Sequence, residues 1–222
     1  MTRLIFPLLL GIIGIAVLLG LGIWQVQQLN RKEATLAAIS DRIADAPVGL
    51  PAQPDPQADR YLPVTATGAL TGQSLFILTS RDGGPGYRVI AAFETAGRRA
   101  MADLGFVGLD GRETRIAIPA VTLRGHLQWP DEADGWTPAP EADLWFARDV
   151  PAMAAALGTE PVLIIVAEMS PPVAGLTLLP IDTSDIPNDH LGYAVTWFSL
   201  AIVWAIMSGF FIFRMGRRPA KD

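Results

Sequence analysis

Two long uncharged runs bracket the chain. Leu4 to Trp24 holds 21 residues and Leu191 to Phe213 holds 23, with no Asp, Glu, Lys or Arg in either. At ~1.5 Å rise per residue, each matches or exceeds the ~30 Å of hydrocarbon that a helix must cross. Trp24 closes the first run and Tyr193 and Trp197 open the second, the positions that interfacial aromatics favour. Both runs therefore predict transmembrane helices. Gln25 to Ala46 keeps a helical pattern, with Leu29, Leu36 and Ile39 set among good helix formers, and predicts a stalk that continues the first span. Pro47, Pro51, Pro54 and Pro56 end it and give an extended linker.

Beyond the linker the period changes to that of strands. Pro63 to Leu70, Ser74 to Ser80, Tyr87 to Glu94, Arg98 to Val107, Ala120 to Trp129 and Pro161 to Glu168 are rich in Val, Ile, Thr and aromatics and lie between Gly and Pro breaks. Turns at Asp82 to Gly86 and at Ala96-Gly97 suit antiparallel neighbours. Asp149 to Leu157 predicts one short helix, with Asp149 as N-cap, Pro151 in the first turn and Gly158 as the stop. The expected class is a membrane α+β protein: two transmembrane helices flanking a mostly antiparallel, barrel- or sandwich-like extracytoplasmic domain with one short helix. The expected boundaries are 4–24 for the first span, 25–46 for the stalk, 47–60 for the linker, 61–187 for the β-rich domain, 190–213 for the second span and 214–222 for a basic cytoplasmic tail.

Composition agrees with an anchored protein. Of 222 residues, 50% are hydrophobic and 18% charged, and mean hydropathy is +0.34, too apolar for an ordinary soluble domain. The lack of cysteine excludes disulfides, thiolate metal sites, iron–sulfur clusters and a cysteine nucleophile. A net charge of −5 argues against nucleic acid as a partner. Orientation follows from the second span, which Arg214, Arg217, Arg218 and Lys221 follow, while no Lys or Arg occurs from Asp149 through Phe213. Both termini are thus expected in the cytoplasm and the middle of the chain in the periplasm. The first apolar stretch is longer than a signal-peptide core, and no transit-type segment precedes it, so a multi-pass protein of a bacterial inner membrane is expected. Residues 25–189 carry 12 Lys and Arg against 21 Asp and Glu, so the expected outer part is acidic.

Familiar catalytic motifs are missing: there is no G-x-S-x-G, H-E-x-x-H or Walker A loop. The carboxylates Asp131 with Glu132, and Asp143 with Asp149, read as solvated loop charges rather than an acid–base pair. The expectation is a protein without enzymatic activity. Only His126 and His190 could offer an imidazole. His126 alternates out of register with Leu123, Leu127 and Trp129 and reads as an exposed strand residue. His190 stands where the second span begins, and helical spacing groups it with Tyr193, Trp197, Ala201 and Trp204. Such a stripe can be an interfacial belt with ordinary helix packing, or a histidine metal ligand above an apolar groove that holds haem. Spacing alone favours the belt. Ala16 and Gly20 in the first run, with Ala201, Ala205 and Gly209 in the second, offer small residues for close helix approach.

Two segments carry a family resemblance. Gly22-Ile23-Trp24-Gln25 resembles the G-x-W-Q signature of the Surfeit locus protein 1 (Shy-type) family, and Asn188-Asp189-His190-Leu191-Gly192-Tyr193 with Thr196-Trp197-Phe198 resembles its histidine-containing signature. Gly86 to Phe93, Gly105-Phe106-Val107, and Trp145 with Arg148-Asp149 and Met153 resemble the family's intervening motifs. The chain departs from the pattern at Gln28, Arg31, Asp103-Leu104 and Gly192. The resemblance implies a two-span assembly factor for cytochrome c oxidase that serves the haem a centres of subunit I, between haem a synthase and the apo-oxidase. It implies haem a as ligand, with His190 as the metal-binding residue; Tyr193, Trp197 and Trp24 are the expected cofactor-binding neighbours. The competing expectation is a scaffold whose acidic outer domain docks an oxidase subunit without carrying haem.

Overall fold

The computed structural model describes residues 2–81, 84–113, 115–182 and 189–217. The expectations for Asp82-Gly83, Asn188, Arg218 and Lys221 lie outside the described residues. The chain divides into two compact units, one made of Met1–Ala38 with Ser184–Asp222 and the other of Ile39–Thr183.

The first unit is helical. Helix α1 (Thr2–Ala44) runs without interruption for 43 residues, about 65 Å at helical rise, so apolar run and stalk are one rod. Helix α3 (His190–Gly216) forms the second rod; the short helix α2 falls between them in the chain. Both are long and apolar enough to cross a membrane. Their outward faces expose large apolar side chains, among them Ile13, Val17, Ile202 and Phe210. Water would penalise each of these faces, and lipid would not.

The second unit is a mixed sheet. Strands β1 (Val48–Gly49), β2 (Pro63–Arg81), β3 (Gly84–Thr95), β4 (Arg98–Gly108), β5 (Ala117–Gln128), β6 (Leu144–Trp145) and β7 (Leu163–Ser170) follow one another, with a 3-10 turn at Leu109–Glu113 after β4. Pairing runs β1-β2-β3-β4-β7-β5, and β5 pairs again with β2, so the ladder returns to its start. Strand β2 makes this possible because its first half pairs with β5 and its second half with β3. The stretches expected as separate strands at Pro63 to Leu70 and Ser74 to Ser80 are therefore one strand. Thr71-Gly72-Gln73 between them is a bulge and not a chain reversal: the register shifts there, and Gly72 has φ +83°, which a side chain would strain.

The sheet is mostly antiparallel, as expected, with three short parallel pairs that make it mixed. The long pairs β2–β3, β3–β4, β2–β5 and β5–β7 are antiparallel, but β1–β2, β2–β6 and β4–β7 are parallel. Helix α2 (Val150–Leu157) explains the most consequential of these. It lies in the long connection from β5 to β7, and such a crossover lets the chain re-enter beside β4 in the same direction. Its caps are those expected: the Asp149 carboxylate accepts from the Ala152 N–H at 3.0 Å, and Gly158 ends the helix at φ +62°.

Apolar residues on both faces of the central strands make the core. On β3, Val89, Ala91 and Phe93 belong to one buried cluster, with Leu104, Leu123, Leu127 and Val166. Ile90 and Ala92 on the opposite face join a second cluster with Met153, Leu157 and Ile165, where α2 covers the sheet. That double burial accounts for the near-continuous apolar runs of β3 and β7.

Candidate functional site

In the helical unit, α1 and α3 lie antiparallel and meet along narrow stripes. On α1 the inward positions include Gly11, Gly14, Leu18, Gly22 and Gln25, spaced three or four apart; on α3 they include His190, Ala194, Phe198, Ala201, Trp204 and Ser208. Glycines set the approach. A Cβ at Gly22 would stand 2.6 Å from Phe198 Cε1, one at Gly14 2.2 Å from Trp204 Nε1, and one at Gly11 3.1 Å from Ser208 Cβ. The Trp204 indole N–H donates to the Gly11 carbonyl at 3.2 Å. The small residues that seat the partner helix are thus Gly11, Gly14 and Gly22. Ala16, Gly20, Ala205 and Gly209, the expected ones, face outward; Ala201 does lie inside. The composition of the runs was right for close packing, but four-residue spacing alone did not show which face was used.

At one end of this stripe, His190 Nδ1 lies 2.8 Å from Gln25 Oε1. With the Gln25 amide oxygen facing it, Nδ1 is the ring nitrogen placed to donate. Gln25 is 9% exposed, and His190 is partly buried. Among the described residues no hydrogen bond is made to His190 Nε2. The two segments that were separate in sequence are therefore joined by one bond between side chains 165 residues apart. Around it, Trp197 is partly buried, while Tyr193 is 58% exposed and Trp24 49% exposed on the outer sides of their helices. Ala194, rather than Tyr193, is the fully buried residue one turn after His190.

The other histidine is a correction. His126 is 8% exposed, not an exposed strand residue. Its Nε2 donates to the Ile43 carbonyl at 3.1 Å, and its Nδ1 is buried without a partner among the described residues. Alternation along β5 holds, with Leu123 and Leu127 in one core cluster and His126 on the opposite face, and that face is covered at His126 by Ile43, whose carbonyl takes the Nε2 proton.

Four carboxylates of the sheet unit, Asp103, Glu132, Asp143 and Asp149, are engaged structurally rather than solvated. Asp103, 1% exposed, accepts from Arg88 Nε and from the Gly105 N–H and lies 3.7 Å from Arg148 Nη1. Burial pushes its carboxyl up from the ordinary aspartate value, against the pull of Arg88 and Arg148. Glu132 clasps Arg148 through both oxygens. Burial alone would raise Glu132, but its bonds to Arg148 outweigh that and hold it below the ordinary glutamate value. Asp143 accepts from Arg112 at 2.7 Å, and Asp149 caps α2. No group of three or more His, Cys, Asp or Glu residues able to hold a metal occurs among the described residues.

A model of the SURF1 family matches residues 12–202, a span that contains both Gln25 and His190. The chain belongs to the SURF1 family. It is 28% identical to Surfeit locus protein 1 of Rattus norvegicus over 211 residues, covering 82% of this chain and 67% of the rat protein. To Surfeit locus protein 1 of Homo sapiens it is also 28% identical, covering 82% of this chain and 69% of that protein. A SURF1-like protein of Monosiga brevicollis is 27% identical, covering 90% and 85% respectively.

In this SURF1-family chain the residue that sequence reasoning passed over is Gln25. It stands inside the Gly22 to Gln25 segment beside Trp24, and an aromatic at a membrane boundary is the more conspicuous of the two. The available signal was spacing: Gly22 and Gln25 are one helical turn apart, so a glycine that admits a neighbour and a buried amide share one face.

Proposed function

We propose that this protein is a membrane-anchored, non-enzymatic assembly factor for haem-a-containing cytochrome c oxidase, holding haem a as cargo on His190 and assisting its delivery to subunit I. The observation that carries this reading is the Gln25–His190 pair, which leaves the Nε2 lone pair of a helix-borne histidine without a partner among the described residues. Membership of the SURF1 family supports the assembly role. The residues suit such cargo. Imidazole nitrogen is an established iron ligand, and the accessible rings of Tyr193, Trp24 and Trp197 offer apolar surface to a macrocycle. A single histidine also suits a carrier that must release what it holds.

On this reading the chain sits in a bacterial inner membrane, with both ends cytoplasmic and the residues between the spans periplasmic; the two apolar helices support a membrane location. Arg214 and Arg217 after the second span support that orientation. The closed ring of strand pairing supports a barrel-like sheet unit, and haem a synthase and oxidase subunit I are the partners implied.

The test is an absorption spectrum of the protein purified from membranes that make haem a. A bound-haem spectrum that His190→Ala abolishes supports the reading. Equal haem content in wild type and H190A refutes the ligand.

A second reading has its own observation. Trp136 is 94% exposed, and the segment 125–147 around it holds Asp131, Glu132, Asp134, Glu141 and Asp143 but no Lys or Arg. An exposed tryptophan within an acidic segment suits docking of a basic oxidase surface without haem. Under that reading Trp136→Ala, and not H190A, abolishes oxidase maturation.

A further inference from the structure

We propose that Gln25 is a positioning residue for His190, fixing the proton on Nδ1 so that Nε2 is the nitrogen presented to iron. The inference rests on the haem-carrying reading for its purpose but not for its physics. A neutral imidazole has one protonated and one bare nitrogen, and the hydrogen bond made by one decides the role of the other. Gln25 Oε1, 2.8 Å from Nδ1, can only accept. The proton is thereby held on Nδ1, and the lone pair is left on Nε2, the nitrogen farther from the backbone. Burial strengthens the effect, because at 9% exposure the Gln25 amide has little water to turn to.

The chain contains its own contrast. His126 donates from Nε2 to the Ile43 carbonyl, so its proton is on the other nitrogen and its bare Nδ1 is enclosed. Two histidines thus stand in opposite tautomers, and only His190 offers Nε2 as a ligand.

The identity of the partner matters too. A carboxylate behind a metal-binding histidine raises the basicity of the ligand and tightens the bond. An amide orients the ring without adding charge. Gln25 therefore gives orientation while leaving the iron bond weak enough to exchange, as a carrier requires.

The experiment uses the full-length protein in detergent, labelled with 15N-histidine, at about pH 8, where an unperturbed imidazole is neutral. Long-range 1H–15N spectra report which nitrogen of each ring bears the proton, and His126→Asn identifies the two rings by removing one. The expected wild-type spectrum has His190 protonated on Nδ1 and His126 on Nε2. Gln25→Leu shifts His190 away from the Nδ1–H form, Gln25→Glu retains that form because it keeps an acceptor oxygen, and His126 is unchanged in both. Titration with haemin then gives about 10- to 100-fold weaker binding for Q25L than for wild type. Wild-type His190 protonated on Nε2, or a Q25L protein that binds haemin as tightly as wild type while H190A does not, overturns the proposal. Wild type that shows the Nδ1–H form, loses it in Q25L and binds no haemin overturns the cargo reading alone and leaves Gln25 as the residue that sets the tautomer.

Discussion

Gly22→Ala tests whether close helix approach is what brings Gln25 and His190 together. The added Cβ would sit 2.6, 2.8 and 2.9 Å from Cε1, Cζ and Cδ1 of Phe198. Carbon atoms rest about 3.5 Å apart or more, so roughly 0.9 Å of relief is needed at the tightest contact. The Gln25–His190 bond at 2.8 Å has only about 0.7 Å to give before it passes the ~3.5 Å at which a hydrogen bond is lost. One helical turn separates Gly22 from Gln25, so a movement that opens the helices at one opens them at the other. Parting the helices enough to admit the methyl therefore breaks the bond. The expected cost is about 1–3 kcal/mol of overpacking in thermal stability, and the His190 ring should lose its Nδ1–H form in 15N spectra. The double variant G22A/F198A removes the obstructing ring and should recover that form. If G22A alone keeps the Nδ1–H tautomer, the phenyl ring has simply swung aside and the reasoning is wrong.

Three further outcomes follow from the packing and the charges. Trp204→Phe deletes the indole bond to the Gly11 carbonyl and should lower stability in detergent by about 0.6 kcal/mol, the average for interhelical hydrogen bonds, whereas Gly14→Ala, whose Cβ would fall 2.2 Å from Nε1, should cost more in the same thermal assay. Asp103→Ala strips the buried partner from Arg88 and should destabilise the sheet unit by about 3–5 kcal/mol in urea unfolding followed by tryptophan fluorescence; Asp103→Asn keeps an acceptor and should cost less. Glu132 and Glu160 are held below the ordinary glutamate value by Arg148 and Arg98, so their stabilisation is present above that value and is lost as pH falls through their lowered pKa. Asp103 has the opposite sign, because a raised carboxyl binds its proton more readily folded than unfolded; wild type should gain on D103N as pH falls toward about 4, and a stability difference independent of pH would contradict this.

Much of the sheet unit was legible because its signals are local. The Ala96-Gly97 turn joins β3 and β4, with Ala96 at φ +47° and Gly97 at φ +75°, the left-handed pair that a two-residue hairpin demands. Asp149 and Gly158 bracket α2 because a cap depends on neighbours in sequence. What stayed hidden depends on partners distant in the chain. Nothing in Thr71-Gly72-Gln73 distinguishes a bulge from a turn until β3 and β5 are known to share β2. The parallel β4–β7 pair likewise arises only after α2 carries the chain across, and the burial of His126 requires Ile43, distant in sequence, to cover its face of β5.

The same distinction decides how the site could be read. His190 was visible because a polar ring at the mouth of an apolar run stands out against its neighbours. Trp24 was visible for the opposite reason, as the expected aromatic at such a boundary. Gln25 had neither advantage, since a glutamine following an apolar run reads as the first polar residue of a stalk. Its meaning comes from burial, and its burial comes from Gly22, whose missing Cβ admits Phe198 from a segment nearly 180 residues later. A signature of glycine, any residue, tryptophan and glutamine thus separates into an outward ring and an inward pair. The inward pair works as a unit: glycine sets the distance and glutamine uses it to hold an imidazole, so replacing either should disturb the same ring.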